Sequence, residues 1–282
     1  MTELFKSANG IVTTDDLYEA LLRVKANQCD ILYIHTDISF GEPLLKRKEM
    51  LSSLYGVLER LNVNTLIFPT FTFSFCNNED FDIKNTPSKM GVLNEYVRKN
   101  VEGLRTSDPL LSVYIVGKTY DLTSISGDES IGYGSTYDKL HKLGKKVKFL
   151  FFGADMRKCF TYTHYMEAIS AVPYRYNREF TGNIIDAQGN VHSNQKYKLY
   201  SSYGNCVLNP KPIVYNEMLN RNYLSMVDVG DGNICCFNES DAHEVISDLF
   251  KKDIYCLTNG LFDKDKANTI YNPNGEYVVS VR

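Results

Sequence analysis

Histidine is scarce in this chain of 282 residues, with only five copies. Positive charge is not in excess: the formal net charge is −3. A chain so balanced lacks the basic surface that a phosphate backbone demands, so nucleic acid is not expected as a partner. Nor is it acidic enough to announce a polycationic substrate from composition. Long apolar runs are missing too. No stretch approaches the ~18 apolar residues of a membrane span, and "MTELFKSANG" lacks the basic start and apolar run of a signal peptide. No membrane partner and a cytoplasmic location are therefore expected. The seven cysteines (Cys29, Cys76, Cys159, Cys206, Cys235, Cys236 and Cys256) show no metal-ligand spacing. Their odd number fits reduced thiols better than a disulfide framework, and no metal is expected. Repeats, linkers and low-complexity segments are absent as well.

What is present is ordinary for a folded domain: 43% hydrophobic and 23% charged residues. The length is ample for a core, and residues 1–282 read as a single domain. Thr14, followed by Asp15 and Asp16, reads as an N-cap with first-turn acids, leading into a helix through Leu17, Leu21 and Val24. "ILYIH" (31–35), "TLIFPTFTFSF" (65–75), "LLSVYIVG" (110–117) and "VKFLFFG" (147–153) read as buried strands. Pro69 interrupts the second, so its far half must turn or lie at an edge. Helical spacing of Leu44, Leu51, Leu54, Leu58 and Leu61, and the segment "SKMGVLNEYVRKN", fill the gaps. Such alternation predicts an α/β sheet with helices on both faces and ligands at the carboxyl ends of its strands. His35, Thr70, Gly117 and Gly153 fall at or just past strand ends. The second half reads differently. "NIIDAQGNVHS" and "MVDVGDGNICCF" look like hairpins, "DAHEVISDLFKK" like a helix and "EYVVSVR" like a last strand. The expected fold is a mixed sheet flanked by helices, more antiparallel towards the C-terminus.

One of the few histidines stands in "TYTHYMEAIS" (161–170), three positions before a glutamate. On a helix, His164 and Glu167 are neighbours, so the carboxylate can take a hydrogen bond from one ring nitrogen. That fixes the tautomer, leaves the other nitrogen as a base and raises its basicity. A helix-surface pair of no consequence is the alternative.

The surrounding motifs, in order, are "HTDISFG" (35–41), the strand into Pro69–Thr70, "TPSKMGVLNEYVRK" (86–99), "RTSDPLLSVYIVG" (105–117), "GYGSTYDKL" (132–140) and "FFGADMRKCFTYTHYMEA" (151–168). Together they resemble the aminoglycoside 3-N-acetyltransferase family, the antibiotic N-acetyltransferase fold, over roughly residues 30–170. The resemblance implies direct acyl transfer from acetyl-coenzyme A, or another acyl-coenzyme A, to a primary amine of an amino sugar. It implies that His164 is the general base and Glu167 its holder. By the same resemblance His35, Thr36, Ser39, Ser112, Gly134 and Ser135 lie on the coenzyme side, with ordinary caps and turns as the alternative for each. The donor to the thioester oxygen stays open between Ser112 and a backbone N–H.

Two departures bear on the acceptor. Asp108 replaces the histidine usual in antibiotic-modifying members, and Thr136 replaces a proline. Asp108 could attract an ammonium, pair with a base, or serve as a turn residue before Pro109. Downstream, "VPYRYNREFTG" (172–182) interleaves Tyr174, Tyr176 and Phe180 with Arg175 and Arg178. Stacking faces and arginines suit a nucleotide-diphosphate handle, with Thr70, Asp108, Tyr174, Arg175 and Arg178 as substrate-side candidates. Coenzyme phosphate for Arg175, or a plain basic strand, remain alternatives. The favoured acceptor is thus a nucleotide-linked amino sugar of surface-polysaccharide synthesis, ahead of an aminoglycoside antibiotic. A hydrolase using Cys159 or a serine with His164, and a non-catalytic binder, are the competing classes. A homodimer is compatible with this reading.

Overall fold

The computed structural model describes residues 1–123, 128–203 and 212–258, with the backbone of two short strands, Thr269–Ile270 and Val278–Val279. The expected last strand, 276–282, lies outside the described residues except for that second pair, and Cys206 lies outside them too. A hairpin of β1 (Glu3–Ser7) and β2 (Gly10–Thr13) opens the chain and runs into α1 (Thr14–Arg23). The helix cap is Thr13, one residue earlier than the sequence suggests. Its hydroxyl accepts from Asp16 N at 3.2 Å, and Asp16 Oδ2 accepts from Thr13 N at 2.8 Å. Thr14 is spent elsewhere, accepting from Thr2 N at 3.0 Å.

Then follow β3 (Ile31–Thr36), β4 (Glu42–Pro43), α2 (Arg47–Glu59), β5 (Thr65–Pro69), β6 (Phe81–Asp82), α3 (Val92–Asn100), β7 (Leu104–Arg105) and β8 (Val113–Gly117). The middle of the chain supplies α4 (Thr136–Lys142), β9 (Val147–Phe152), α5 (Met156–Cys159) and α6 (Tyr162–Ile169). A long ribbon of β10 (Arg175–Ile185) and β11 (Val191–Ser202) precedes α7 (Pro212–Asn220), β12 (Ser225–Val229), β13 (Gly232–Asn238) and α8 (Glu239–Lys252).

The main sheet has the order β12-β13-β9-β3-β5-β8-β7. Its centre, β9-β3-β5, is parallel, while β13 and β8 run against their neighbours. The sheet is therefore mixed. This corrects one expectation: because β8 is reversed, Gly117 pairs with Thr65 at the start of β5. It thus sits on the sheet edge away from His35, and Ser112, just before β8, occupies the other end.

Alternation along the buried strands splits the core in two. Ile31, Tyr33, Phe149 and Phe151 face a cluster closed by α4, α6, α7 and α8. Leu32, Ile34, Leu150 and Phe152 face the other, closed by α1, α2 and α3. A period of two on a sheet covered on both sides produces this partition. Each fully buried leucine or phenylalanine contributes roughly 1.5–3 kcal/mol of transfer free energy. The two hairpins expected after residue 180 are present, and β13 carries the second into the main sheet.

Candidate active site

A cleft of about 400 Å³ opens at the carboxyl ends of β3 and β5, where His35, Thr36 and Pro69 meet Gly91 and Asn94 at the start of α3. His164 of α6, Arg175 of β10 and Leu199–Ser202 of β11 close the opposite side, and Phe71, Phe73, Leu111 and Ile131 supply apolar walls. Phe73 enters with φ 54°, a region bulky side chains rarely adopt.

Helix α6 buries Tyr162, Tyr165, Met166 and Glu167 while His164 keeps 31% of its side chain exposed. His164 Nδ1 lies 2.6 Å from Glu167 Oε2, and Glu167 is only 2% exposed. With the carboxylate as acceptor, Nδ1 carries the hydrogen and Nε2 is the basic nitrogen; Arg175 Nη2 also reaches Nδ1, at 2.9 Å. The carboxylate has further partners. Tyr174 donates its hydroxyl to Oε1 at 3.1 Å, and Arg175 Nε stands 2.9 Å from Oε2. Burial, then the carboxylate beside it, pushes the Tyr174 phenol well above its ordinary range, so it is neutral and donating.

His35 and Thr36 line the cleft. His35 is 6% exposed, its ring stacked at 4.6 Å and 9° on Phe151, its partner across the strands. Thr36 donates to Asn94 Oδ1 at 2.8 Å, and Asn94 donates on to Pro69 O at 2.8 Å. Asn94 was not singled out from the sequence. Its signal was faint, because it shares the buried face of α3 with Leu93 and Val97 but also with Arg98.

The remaining candidates do not line the cleft. Ser39 is exposed and donates to Gly153 O at 2.7 Å. Gly153 itself, with φ 74°, is required because a Cβ there would collide with the Asp37 carbonyl, so it makes room for the chain and not for a ligand. Ser135 caps α4 by accepting from Asp138 N, and Gly134 N donates to Asp138 Oδ2 at 2.8 Å. Both belong to a helix cap. Ser112 and Thr70 are fully buried: Ser112 donates to Thr70 O at 2.8 Å. Arg105 donates to Thr70 O at 2.6 Å and Thr86 O at 2.6 Å, tying the 84–88 loop to the strand ends. Burial, then nearby Arg98, depresses the Arg105 guanidinium to about 9.

Asp108 takes the turn role. Its Oδ1 accepts from Leu110 N, Leu111 N and Ser130 Oγ at 2.8, 3.0 and 2.8 Å, and 4% exposure leaves it nothing to offer an ammonium. Burial raises its pKa against the pull of those donors. The arginine pair does not form one handle. Arg175 and Arg178 are three residues apart on an unbulged stretch of β10 and so face opposite sides of the ribbon. Arg178 covers the Phe180 ring at 5.0 Å, while Tyr174 and Arg175 serve Glu167.

Beneath the cleft, Glu95 binds Arg98 through both oxygens at 2.7 and 2.8 Å and accepts from Ser88 N at 2.9 Å. Arg98 also donates to Lys84 O. This clamp fixes the loop that delivers Met90 and Gly91 to the cleft wall. Cys159 lines the cleft, its thiol donating to Asp155 O at 3.2 Å. Away from the cleft, His141, Glu239 and His243 bring ligand atoms within 4.8 Å of one another. The two imidazoles are cofacial at 4.0 Å and 8°, so their in-plane lone pairs run side by side instead of converging on one point. Tyr162 donates to Glu239, and the group reads as a bracket joining α4, α6 and α8.

Residues 38–251 match the family model described as aminoglycoside 3-N-acetyltransferase. Among curated proteins, none matches the sequence. Solved structures share the fold at low identity. AAC-IIIb with CoASH has a TM-score of 0.70 at 16% identity, covering 86% of this chain and 97% of that one. Aminoglycoside acetyltransferase AAC(3)-Xa gives 0.72 at 18%, covering 86% and 94%. YokD from Bacillus subtilis gives 0.67 at 16%, covering 89% and 96%. The motif order, the mixed sheet and the family match agree: the chain belongs to the aminoglycoside 3-N-acetyltransferase family and is an N-acetyltransferase.

Proposed function

We propose that the protein transfers an acetyl group from acetyl-coenzyme A to a primary amine of an amino sugar whose remaining groups are neutral or anionic, a nucleotide-linked amino sugar being the favoured case. The observation that carries the reaction is the cleft-facing imidazole of His164 on a buried carboxylate. An amine that is protonated at neutral pH cannot attack until it loses a proton, and Nε2 is the atom that takes it. Such a base contributes about 10²–10⁴-fold in rate. Glu167 holds the ring, and Tyr174 and Arg175 hold Glu167.

The cleft suits the acyl-pantetheine end of coenzyme A. Apolar walls from Phe71, Phe73 and Leu111 match its aliphatic segments, and Thr36 and Asn94 are polar groups beside them that suit its amides. When bound, acetyl-coenzyme A supplies the acyl group as a thioester. AAC-IIIb, which shares this fold, has a solved structure as a binary complex with CoASH.

The acceptor's charge is argued from the lining. Among the described residues that line the cleft there is no aspartate or glutamate, whereas Lys158 and Arg175 are present. A polycationic antibiotic wants acidic walls to offset its desolvation. The aminoglycoside reading keeps one support: AAC-VIa, of the same fold with a TM-score of 0.67 at 16% identity, binds sisomicin.

The deciding experiment is a panel of amines with acetyl-coenzyme A and thiol release as the readout. Turnover of nucleotide-linked amino sugars, with aminoglycosides inert, is the expected result. Preference for a deoxystreptamine amine overturns the acceptor assignment. His164→Ala should lose about 10²-fold or more in kcat while retaining coenzyme binding, and full activity in that variant rejects the base.

A further inference from the structure

Glu167 is a buried carboxylate with two candidate counter-ions. One is the imidazolium that His164 would become on taking a proton. The other is Arg175, whose Nε stands 2.9 Å from Glu167 Oε2. We propose that Arg175 is a positioning residue that sets the pH at which His164 works, by neutralising Glu167 permanently so that the imidazole can stay uncharged. This rests on the reading of His164 as the base.

The geometry supports the division of labour. Arg175 is itself 9% exposed and fixed from behind, Nη1 donating to Tyr200 O at 2.9 Å. The Nε contact is ionic, its N–H being poorly aligned on the oxygen. Nη2 lies 2.9 Å from His164 Nδ1, farther than the 2.6 Å that separates that nitrogen from the carboxylate. Both contacts to Nδ1 lie within hydrogen-bond distance. In the tautomer whose Nδ1 hydrogen goes to Glu167, the guanidinium meets the ring as a cation, and in the other it donates to the Nδ1 lone pair. In either case it disfavours a second proton on the ring. A guanidinium is charged at every working pH. It opposes a second positive charge on the adjacent ring, just as the carboxylate would favour one.

Other groups around His164 do not take over this role. Tyr174 is neutral, and burial pushes the Tyr200 phenol up to about 12. Lys158, exposed on α5, and His35, at the end of β3, border the same cleft. Both would add to Arg175's effect if charged. The carboxylate that His164 meets is Glu167, at 2.6 Å. With Arg175 gone, Glu167 would lie buried without its ion-pair partner, which is costly, and a proton on His164 is the nearest remedy. A base already protonated cannot accept the amine's proton.

The test uses the full chain and two readouts: the pH dependence of kcat/KM, and an NMR titration of the His164 imidazole assigned with His164→Ala. In the wild type the ring should titrate at or below the ordinary ~6.5 despite its carboxylate. Arg175→Gln should raise that midpoint by roughly one to three units. Its activity should fall most at low pH and approach the wild type above the new midpoint. Arg175→Lys, which keeps a charge, should restore a lower midpoint. A purely structural arginine predicts reduced activity at every pH with no shift, and that result overturns the proposal. Should Arg175→Gln not fold, a wild-type midpoint well above the ordinary value overturns it alone. Full activity in His164→Ala instead rejects the base reading on which the proposal stands, which keeps the two failures distinct.

Discussion

Replacing Glu95 by glutamine tests whether the clamp beneath the cleft is electrostatic. Burial pulls the Glu95 carboxyl up, but Arg98, the Ser88 N–H and Lys99 together hold it down to about 2, against an ordinary 4.5. At 1.36 kcal/mol per unit, that depression corresponds to roughly 3 kcal/mol of stability. The side chain keeps 20% of its surface in water, so screening reduces the expected loss in Glu95→Gln to about 1–2 kcal/mol at neutral pH. The sign is fixed by the direction of the shift. A depressed carboxyl stabilises fully above its unfolded value of 4.5 and loses that contribution as pH falls towards about 2. Urea unfolding of both proteins from pH 7 downwards should therefore show a gap that narrows below pH 4.5. KM should also rise in the variant, because Met90 and Gly91 are delivered to the cleft by the loop this clamp holds. A gap of constant size across that range would refute the electrostatic account.

Two further substitutions separate roles that the sequence left open. Cys159→Ser should keep near-wild-type kcat in a thiol-release assay, because no step uses that sulfur, whereas a hydrolase reading demands its loss. A bulky alkylating reagent is a poor substitute for this variant, since Cys159 borders the cleft and a large adduct would block it. Asp108→Ala should cost about 1–3 kcal/mol in thermal or urea unfolding by stranding the Leu110 and Leu111 N–H groups. It should leave KM for the amine unchanged, because its carboxylate does not reach the cleft.

The sequence carried the element order well because burial on both faces writes itself as short apolar runs, as in Ile31–His35 and Val147–Phe152. Strand direction was not written there. "LLSVYIVG" reads equally well parallel or reversed, and only tertiary pairing puts Gly117 beside Thr65. The His164–Glu167 pair was legible because one helical turn joins them. Arg175 was visible as a residue but not as their partner, since its approach to Glu167 depends on the turn after α6, where Ala171 takes φ 49° and Val172 N donates to Glu167 O at 3.2 Å. The small polar residues of the motifs were assigned to ligand by resemblance, from their type and their places near strand ends. Ser112, Thr70 and Ser135 have the same type when they hold strand ends and helix caps together, so the sequence could not separate these roles.

Because β8 runs counter to β5, the polypeptide reaches the rim of the cleft on its way into that strand, whereas at β3 and β5 it reaches the rim on its way out. The walls are thus stitched from arrivals and departures of segments far apart in the chain, with the ribbon's root added later still. No contiguous fragment contains the cleft, and a transplant of its chemistry to another scaffold would have to move the sheet along with it.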